Sequence, residues 1–332
     1  MVMELLEQRF PETEFTFTDA GISSTCSTTG AFRLQDHVLS KGPVDLLFVE
    51  FAVNDDQDAR HGRRECIRGM EGVVRRTRVH NADADIVITY FVNPEMLETW
   101  QSGRAPVPAA AHREVAEYYQ VSTINLAKEV ADRIAAGRLT WEQFGGTHPK
   151  PWGNQICASM IDRLMSKAWT RRLPEDAKAE AHKLPEKPLD EKSYFRGRLT
   201  GPEEAEIVRD MTVVVPEWSK IKGGFRSRFA GKELLCGSKP GAEMRLRFGG
   251  TAIGAYVLAG PDAGIVETSI DGGAYRKCNL YHDYSKGLHY PRTVVFDGDL
   301  EPGEHELRLR ISAEKDERSS GHAMRVLHFV AN

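Results

Sequence analysis

Three short stretches of the sequence hold side chains or turns that could do chemistry. The first is Asp19-Ala-Gly-Ile-Ser-Ser-Thr25, a run of small residues whose backbone N–H groups could face a developing oxyanion. The second is Phe51-Ala-Val-Asn54-Asp55-Asp56, where the Asn54 carboxamide could donate to the same negative charge. The third is Phe144-Gly-Gly-Thr-His148-Pro149, followed by Trp152, where an imidazole held on a loop before a helix could act as general base. Each has a plain structural alternative. The first reads equally as a βα turn, the second as a helix N-cap, the third as a surface histidine.

The elements around these stretches follow an alternating pattern. Residues 14–19, 45–51, 85–91 and 120–124 read as strands, the later ones as near-continuous apolar runs suited to a sheet covered on both faces. Helices are expected near 29–40, 63–79, 107–119, 125–136 and 152–170, with another at 3–10. Strand and helix in alternation predict a doubly wound α/β sheet, and all three chemical stretches then lie just past the carboxyl ends of strands. Asn93-Pro94 follows a strand in the same way, so Asn93, Trp100, Arg104 and Trp152 become candidate lining residues of one cleft, with ordinary packing as the alternative. Glu50 ends an apolar strand and reads as a hydrogen-bonded structural carboxylate rather than a catalytic one.

Residues 173–192 carry three prolines and dense charge and read as a linker. Beyond it, strand-like segments at 211–215, 243–248, 252–258, 264–270, 292–296 and 305–311 are separated by turn signals such as Asp271-Gly272. That spacing predicts an antiparallel β-sandwich. The expected domains are therefore 1–172, a linker at 173–192, and 193–332. Tyr275, Tyr281, Tyr284, His289 and Tyr290 gather around one connection of the sandwich. They could stack on sugar rings or pack the sandwich.

Composition narrows the function. Over 332 residues, 41% are hydrophobic and 28% charged, which suits a globular chain able to bury a core, and the length favours two domains. A net charge of −4 gives no global basis for nucleic-acid binding. No apolar run is long enough to span a bilayer, and residues 1–10 lack the pattern of a signal peptide, which leaves localisation open. Five scattered cysteines form neither a zinc motif nor a disulfide framework, and His282-Asp283 is not a metal pair, so no metal and no cofactor are expected. Oligomeric state is open.

Taken in order, the motifs resemble those of the SGNH (GDSL) hydrolase family. Gly21-Ile-Ser-Ser24 resembles that family's oxyanion turn, with Ser24 at the usual glycine; Ala52-Val-Asn54-Asp55 resembles its Gly-x-Asn-Asp block; Thr147-His148-Pro149 resembles its final Asp-x-x-His-Pro block. The resemblance covers roughly residues 1–170. It implies a flavodoxin-like parallel sheet with helices on both faces. It also implies Asn54 and the Ser24 amide as oxyanion donors, His148 as base, and an ester hydrolysed with no cofactor. The second half resembles the jelly-roll modules attached to carbohydrate-active members, which makes a small-molecule or glycan ester, an acetylated carbohydrate first, the expected substrate. Asn93, Trp152 and Asp55 are the expected substrate-binding residues.

Two departures from the family pattern shape the expectation. The acid normally found three residues before the histidine is Gly145 here, with Glu142 the nearest substitute or a Ser–His dyad the alternative. The Gly-x-Ser nucleophile block is absent; the chain opens at what resembles the helix after it, and Ser23 and Ser24 belong to the oxyanion turn. The strands at 14–19 and 45–51 should flank a strand this sequence lacks, leaving unpaired backbone groups at a cost of order 1–3 kcal/mol each. The expectation is thus a serine lying upstream of this sequence. The alternative is a glycan-binding or scaffold relative without a nucleophile. A flavodoxin-like nucleotide binder would need a Gly-rich phosphate loop, which is missing.

Overall fold

The computed structural model describes residues 1–170, 174 and 176–332. Residues 171 and 172 of the expected first domain, and 173 and 175 of the expected linker, lie outside the described residues. The chain divides into two compact units, each made of two stretches: Met1–Ile22 with His37–Ser193, and Ser23–Asp36 with Tyr194–Asn332.

The first unit contains helix α1 (Val2–Arg9), and the second takes helix α2 (Ser27–His37) up to Asp36. The first then continues through β1 (Leu46–Val49), α3 (Arg63–His80), β2 (Asp85–Thr89), α4 (Pro94–Gln101), α5 (Val107–Tyr118), β3 (Ser122–Ile124), α6 (Leu126–Ala135), α7 (Trp141–Phe144) and α8 (Pro151–Ala168). The three strands are parallel, in the order β1-β2-β3, with Leu46 opposite Asp85 and Val87 opposite Ser122. Apolar residues at helical spacing bury one side of α3: Cys66, Ile67, Met70, Val73 and Val74 are all buried, and the helix packs on α5.

Residues 14–19 are the exception to the expected strands. They form no ladder, and β1 pairs only with β2 among the described residues. A strand's composition does not make a strand without a neighbouring ladder to bond to. The segment's aromatic side chains hold it instead. Phe15 stacks on Phe17 with centroids 5.8 Å apart and meets Phe10 at 6.5 Å, and Phe10 meets the Trp169 ring at 5.1 Å.

Residues 182–190, the later part of the expected linker, are bound tightly to the first unit. The buried Glu71 carboxylate of α3 accepts from the Asp190 N–H at 3.0 Å, the Leu189 N–H and the Tyr119 hydroxyl at 2.6 Å. Arg75 donates to the Pro185 and Glu186 carbonyls at 2.9 and 3.2 Å, and Arg64 and Arg68 lie 2.8 and 3.2 Å from the Asp190 carboxylate. The segment therefore satisfies charged side chains that would be costly to bury alone.

The second unit holds β4 (Arg198–Thr200), β5 (Glu206–Arg209), β6 (Thr212–Val214), β7 (Leu234–Gly237), β8 (Glu243–Gly250), β9 (Ile253–Ala259), β10 (Ile265–Ile270), β11 (Arg276–Asn279), β12 (Tyr290–Asp297), β13 (Gly303–Ile311) and β14 (Met324–Ala331). They form two antiparallel sheets, ordered β11-β10-β13-β8-β5 and β12-β9-β14-β7-β6, with β4 added to β14. Alternation explains the first sheet: Met244, Leu246 and Phe248 of β8, and Leu307, Leu309 and Ile311 of β13, point into one core with Val257, Val326 and Phe329 of the second. Asp271 and Gly272 both take positive φ, 52° and 74°, the geometry of the expected tight hairpin between β10 and β11.

Every residue of β9 is buried, so its sheet is covered on both faces. Residues 23–36 belong to this unit. Within it the fully buried Phe32 ring lies 4.8 Å from that of Tyr194, and the Thr29 hydroxyl donates to Thr293 of β12 at 2.9 Å. The architecture is the one the sequence implied, a parallel α/β sheet followed by antiparallel β-sheets. No helix among the described residues is long and apolar enough to cross a membrane.

Candidate active site

Where β1 ends, the chain makes one wide turn of helix, Asn54–Asp58, with the Ala59 N–H reaching back to the Asn54 carbonyl at 2.8 Å. Such i→i+5 turns are rare and concentrate at functional sites. Val53 occupies the cap position, with no side-chain cap bond, so Asn54 does not serve as an N-cap. The Asn54 Nδ2 donates to the Asp58 carboxylate. A carboxamide nitrogen carries two N–H bonds, so Asp58 orients the group while the second donor points elsewhere.

Glu50 ties this turn to the next loop. Its Oε1 accepts from the Val53 N–H at 3.3 Å and from the Phe91 N–H at 3.4 Å. Burial pushes its carboxyl up to about 7, against the opposing pull of those backbone donors. Glu50 is thus the structural carboxylate the sequence suggested, joining the segments after β1 and β2.

After β2, Asn93 caps α4: its Oδ1 accepts from the Met96 N–H at 2.8 Å, with Pro94 opening the helix. Its Nδ2 donates to Asp56 at 2.8 Å, while burial raises the Asp56 carboxyl. Both ends of the Asn93 amide are engaged in positioning. Asp55 is fully buried; its Oδ2 is 2.9 Å from His112 Nε2 of α5, and its Oδ1 is 3.5 Å from His61 Nδ1. Burial by itself would raise the Asp55 carboxyl, but the two imidazoles outweigh it and hold the group well below the usual carboxylate range. His61 reaches this position through Arg60, whose φ is 50°. Neither His61, on the loop before α3, nor His112, on α5, carries a sequence signal, since their approach to Asp55 is set by the fold and not by local spacing.

His148 lies on the exposed loop between α7 and α8. Thr140 and Gln143 form a capping box at the start of α7, and Gly145 ends it with φ 106°. A Cβ on Gly145 would sit 2.3 Å from the Lys150 backbone nitrogen, so this loop has no room for an acid there. Glu142 is exposed, and the Lys150 side chain bonds to its carbonyl, not its carboxylate. Trp152 is exposed in the first turn of α8. Ser24, in the second unit, has φ 71°; its Oγ accepts from Arg226 at 2.7 Å and its carbonyl accepts from the Tyr290 hydroxyl at 3.1 Å.

The first unit therefore presents a parallel sheet with an oriented carboxamide after its first strand and an exposed imidazole before its last helix. Residues 1–156 match the GDSL-like lipase/acylhydrolase family. That stretch contains all three of the motifs singled out in the sequence. The whole chain also shares its fold with solved structures. A two-domain esterase (CEX) active on acetylated mannans, co-crystallised with mannopentaose, gives a TM-score of 0.75 at 20% identity, over 99% of this chain and 83% of that one. A further structure of a two-domain esterase (CEX) active on acetylated mannans gives 0.76 at 20% identity, over 99% and 84%. No curated protein matches the chain.

Proposed function

We propose that this protein hydrolyses an acyl ester on a carbohydrate, an acetyl group first, with His148 as general base and the Asn54 amide as oxyanion donor. The observation that carries the reading is the Asn54 carboxamide: it follows β1, is oriented by Asp58, and is not spent on capping a helix. The carboxyl ends of parallel strands are where α/β sheets place reactive groups. The family match and the shared fold with esterases active on acetylated mannans support the same class and the same kind of substrate.

The nucleophile in this reading is a serine on a strand lying before the present sequence, paired to the open edge of β1. The Ser24 hydroxyl accepts from Arg226, and we do not assign it as the nucleophile. His148 would take the proton of that serine as it attacks the ester carbonyl. The tetrahedral oxyanion would accept from Asn54, and collapse would break the ester C–O bond as the protonated His148 gives its proton to the departing sugar oxygen. Water then repeats the sequence on the acyl-serine. With Gly145 in place of an acid, the imidazole works without a carboxylate at that position.

The test is hydrolysis of an aryl acetate by an N-terminally extended chain. We expect activity in the longer form alone. His148→Ala should abolish it, and Asn54→Ala should lower kcat by roughly 10²–10³-fold, the usual cost of one oxyanion donor. A fluorophosphonate that labels the 332-residue chain itself would place the serine within it and overturn the upstream assignment.

A glycan-binding relative is the second reading, and one observation favours it. Tyr284 is half exposed, and its ring lies 5.5 Å from that of Tyr290, which stacks on His282 at 4.3 Å. The other aromatics of that group divide: Tyr281, His289 and Tyr290 are buried, while Tyr275 is exposed beneath Arg310. Acetylated mannan binding without turnover by the extended chain would select this reading.

A further inference from the structure

We infer that Asp55, His61, Cys66 and His112 form a closed binding site for a zinc-like divalent cation inside the first unit. One ligand atom each from Asp55, Cys66 and His112 lies within 4.8 Å of the other two, and all three residues are buried. His61, with Nδ1 3.5 Å from Asp55 Oδ1 and its backbone carbonyl 3.7 Å from the Cys66 sulfur, is the neighbouring donor that completes the set once its ring turns toward the other three. Around a tetrahedral zinc, with bonds of roughly 2.0–2.3 Å, neighbouring ligand atoms sit roughly 3.3–3.8 Å apart. The Asp55, Cys66 and His112 ligand atoms need to close by about 1–1.5 Å at most to meet that geometry.

The donor set identifies the ion. One thiolate, two imidazoles and one carboxylate suit zinc and exclude magnesium or calcium, which take oxygen ligands. Two anionic ligands and two neutral ones cancel the charge of a divalent cation, the balance a buried site requires. On binding, the Cys66 S–H breaks, its electron pair forms the S–metal bond, and the proton leaves to solvent. Cys66 lies in the first turn of α3, whose dipole favours a negative ligand there. With four protein ligands the site is structural. It staples the turn that carries Asn54 to α3 and α5, and its donors run from residue 55 to residue 112 without a motif spacing, so it left no sequence signal.

The 332-residue chain, purified in the presence of Zn²⁺ and a phosphine reductant and then dialysed, tests this directly. We expect one zinc per chain by mass spectrometry. On exchange to Co²⁺ we expect the intense tetrahedral visible bands together with a thiolate-to-cobalt charge-transfer band. Cys66→Ser should abolish the charge-transfer band, whereas Cys278→Ser, in the second unit, should leave it intact. A wild-type chain that holds no stoichiometric zinc, or shows no charge-transfer band with Co²⁺, overturns the assignment whatever the variants do. A band that survives Cys66→Ser overturns it too, because the metal then sits on another thiol.

Discussion

Gly145 shows how one residue fixes the chemistry available to His148. Its φ of 106° and the 2.3 Å approach to the Lys150 nitrogen both demand a residue without a Cβ. Restoring the family's acid by Gly145→Asp should therefore not restore a triad. We expect about 1–3 kcal/mol of destabilisation, read by thermal unfolding, and no gain in esterase rate in the extended chain. An active, stable Gly145→Asp protein would show that the loop can rearrange around a carboxylate. At this scale the sequence was informative where position carried meaning. Asn54 and His148 stood out because each follows or precedes a recognisable element. Asp55, by contrast, looked like a substrate contact and is buried against His61 and His112, partners that no local spacing reveals.

Among the elements, Glu50 makes the sharpest prediction. Its folded-state carboxyl is raised from 4.5 to about 7 by burial, so the folded chain prefers it protonated. Its contribution is then fully present below the unfolded value and is lost as pH rises through the folded one. Glu50→Gln keeps an acceptor for the Val53 and Phe91 N–H groups and removes the titration. Relative to wild type, the variant should gain about 2 kcal/mol between about pH 5 and about pH 8, measured by urea unfolding at each pH. A constant difference across that range would mean that the carboxyl titrates normally.

The strands show which patterns can be read locally. β8 and β13 alternate cleanly and were expected. β14 lies between β9 and β7 in its sheet and was not: it is buried at all but one position and shifts register between Val326 and His328, so it shows no clean alternation. Residues 14–19 have a strand's composition and no ladder, because pairing depends on a neighbour that composition cannot supply. The α4 helix hid behind Asn93-Pro94, which reads as a loop but is a cap followed by the first helical residue.

For the molecule as a whole, the discontinuity of the units was the feature least legible in the sequence. The amphipathic pattern of α2 announces a helix and says nothing of which sheet it covers. Its Phe32 is fully buried against Tyr194, and a Cβ on Gly197 would lie 2.9 Å from the same ring. Phe32→Ala should cost roughly 3–5 kcal/mol, the usual range for a buried aromatic. Circular dichroism and near-ultraviolet unfolding of the β-rich unit, rather than of the α/β unit, should register that loss. A transition in the α/β unit alone would contradict the assignment of residues 23–36.

The same feature imposes a schedule on synthesis. Residues 23–36 leave the ribosome early, yet the sheets that bury them begin only at Tyr194 and are completed by β14 at the extreme carboxyl end. At ordinary elongation rates of about 5–20 residues per second, Phe32 waits for roughly 10–30 s before its first partner is made. During that interval Ala31, Phe32 and Leu34, all buried in the finished fold, are without the native packing that later covers them.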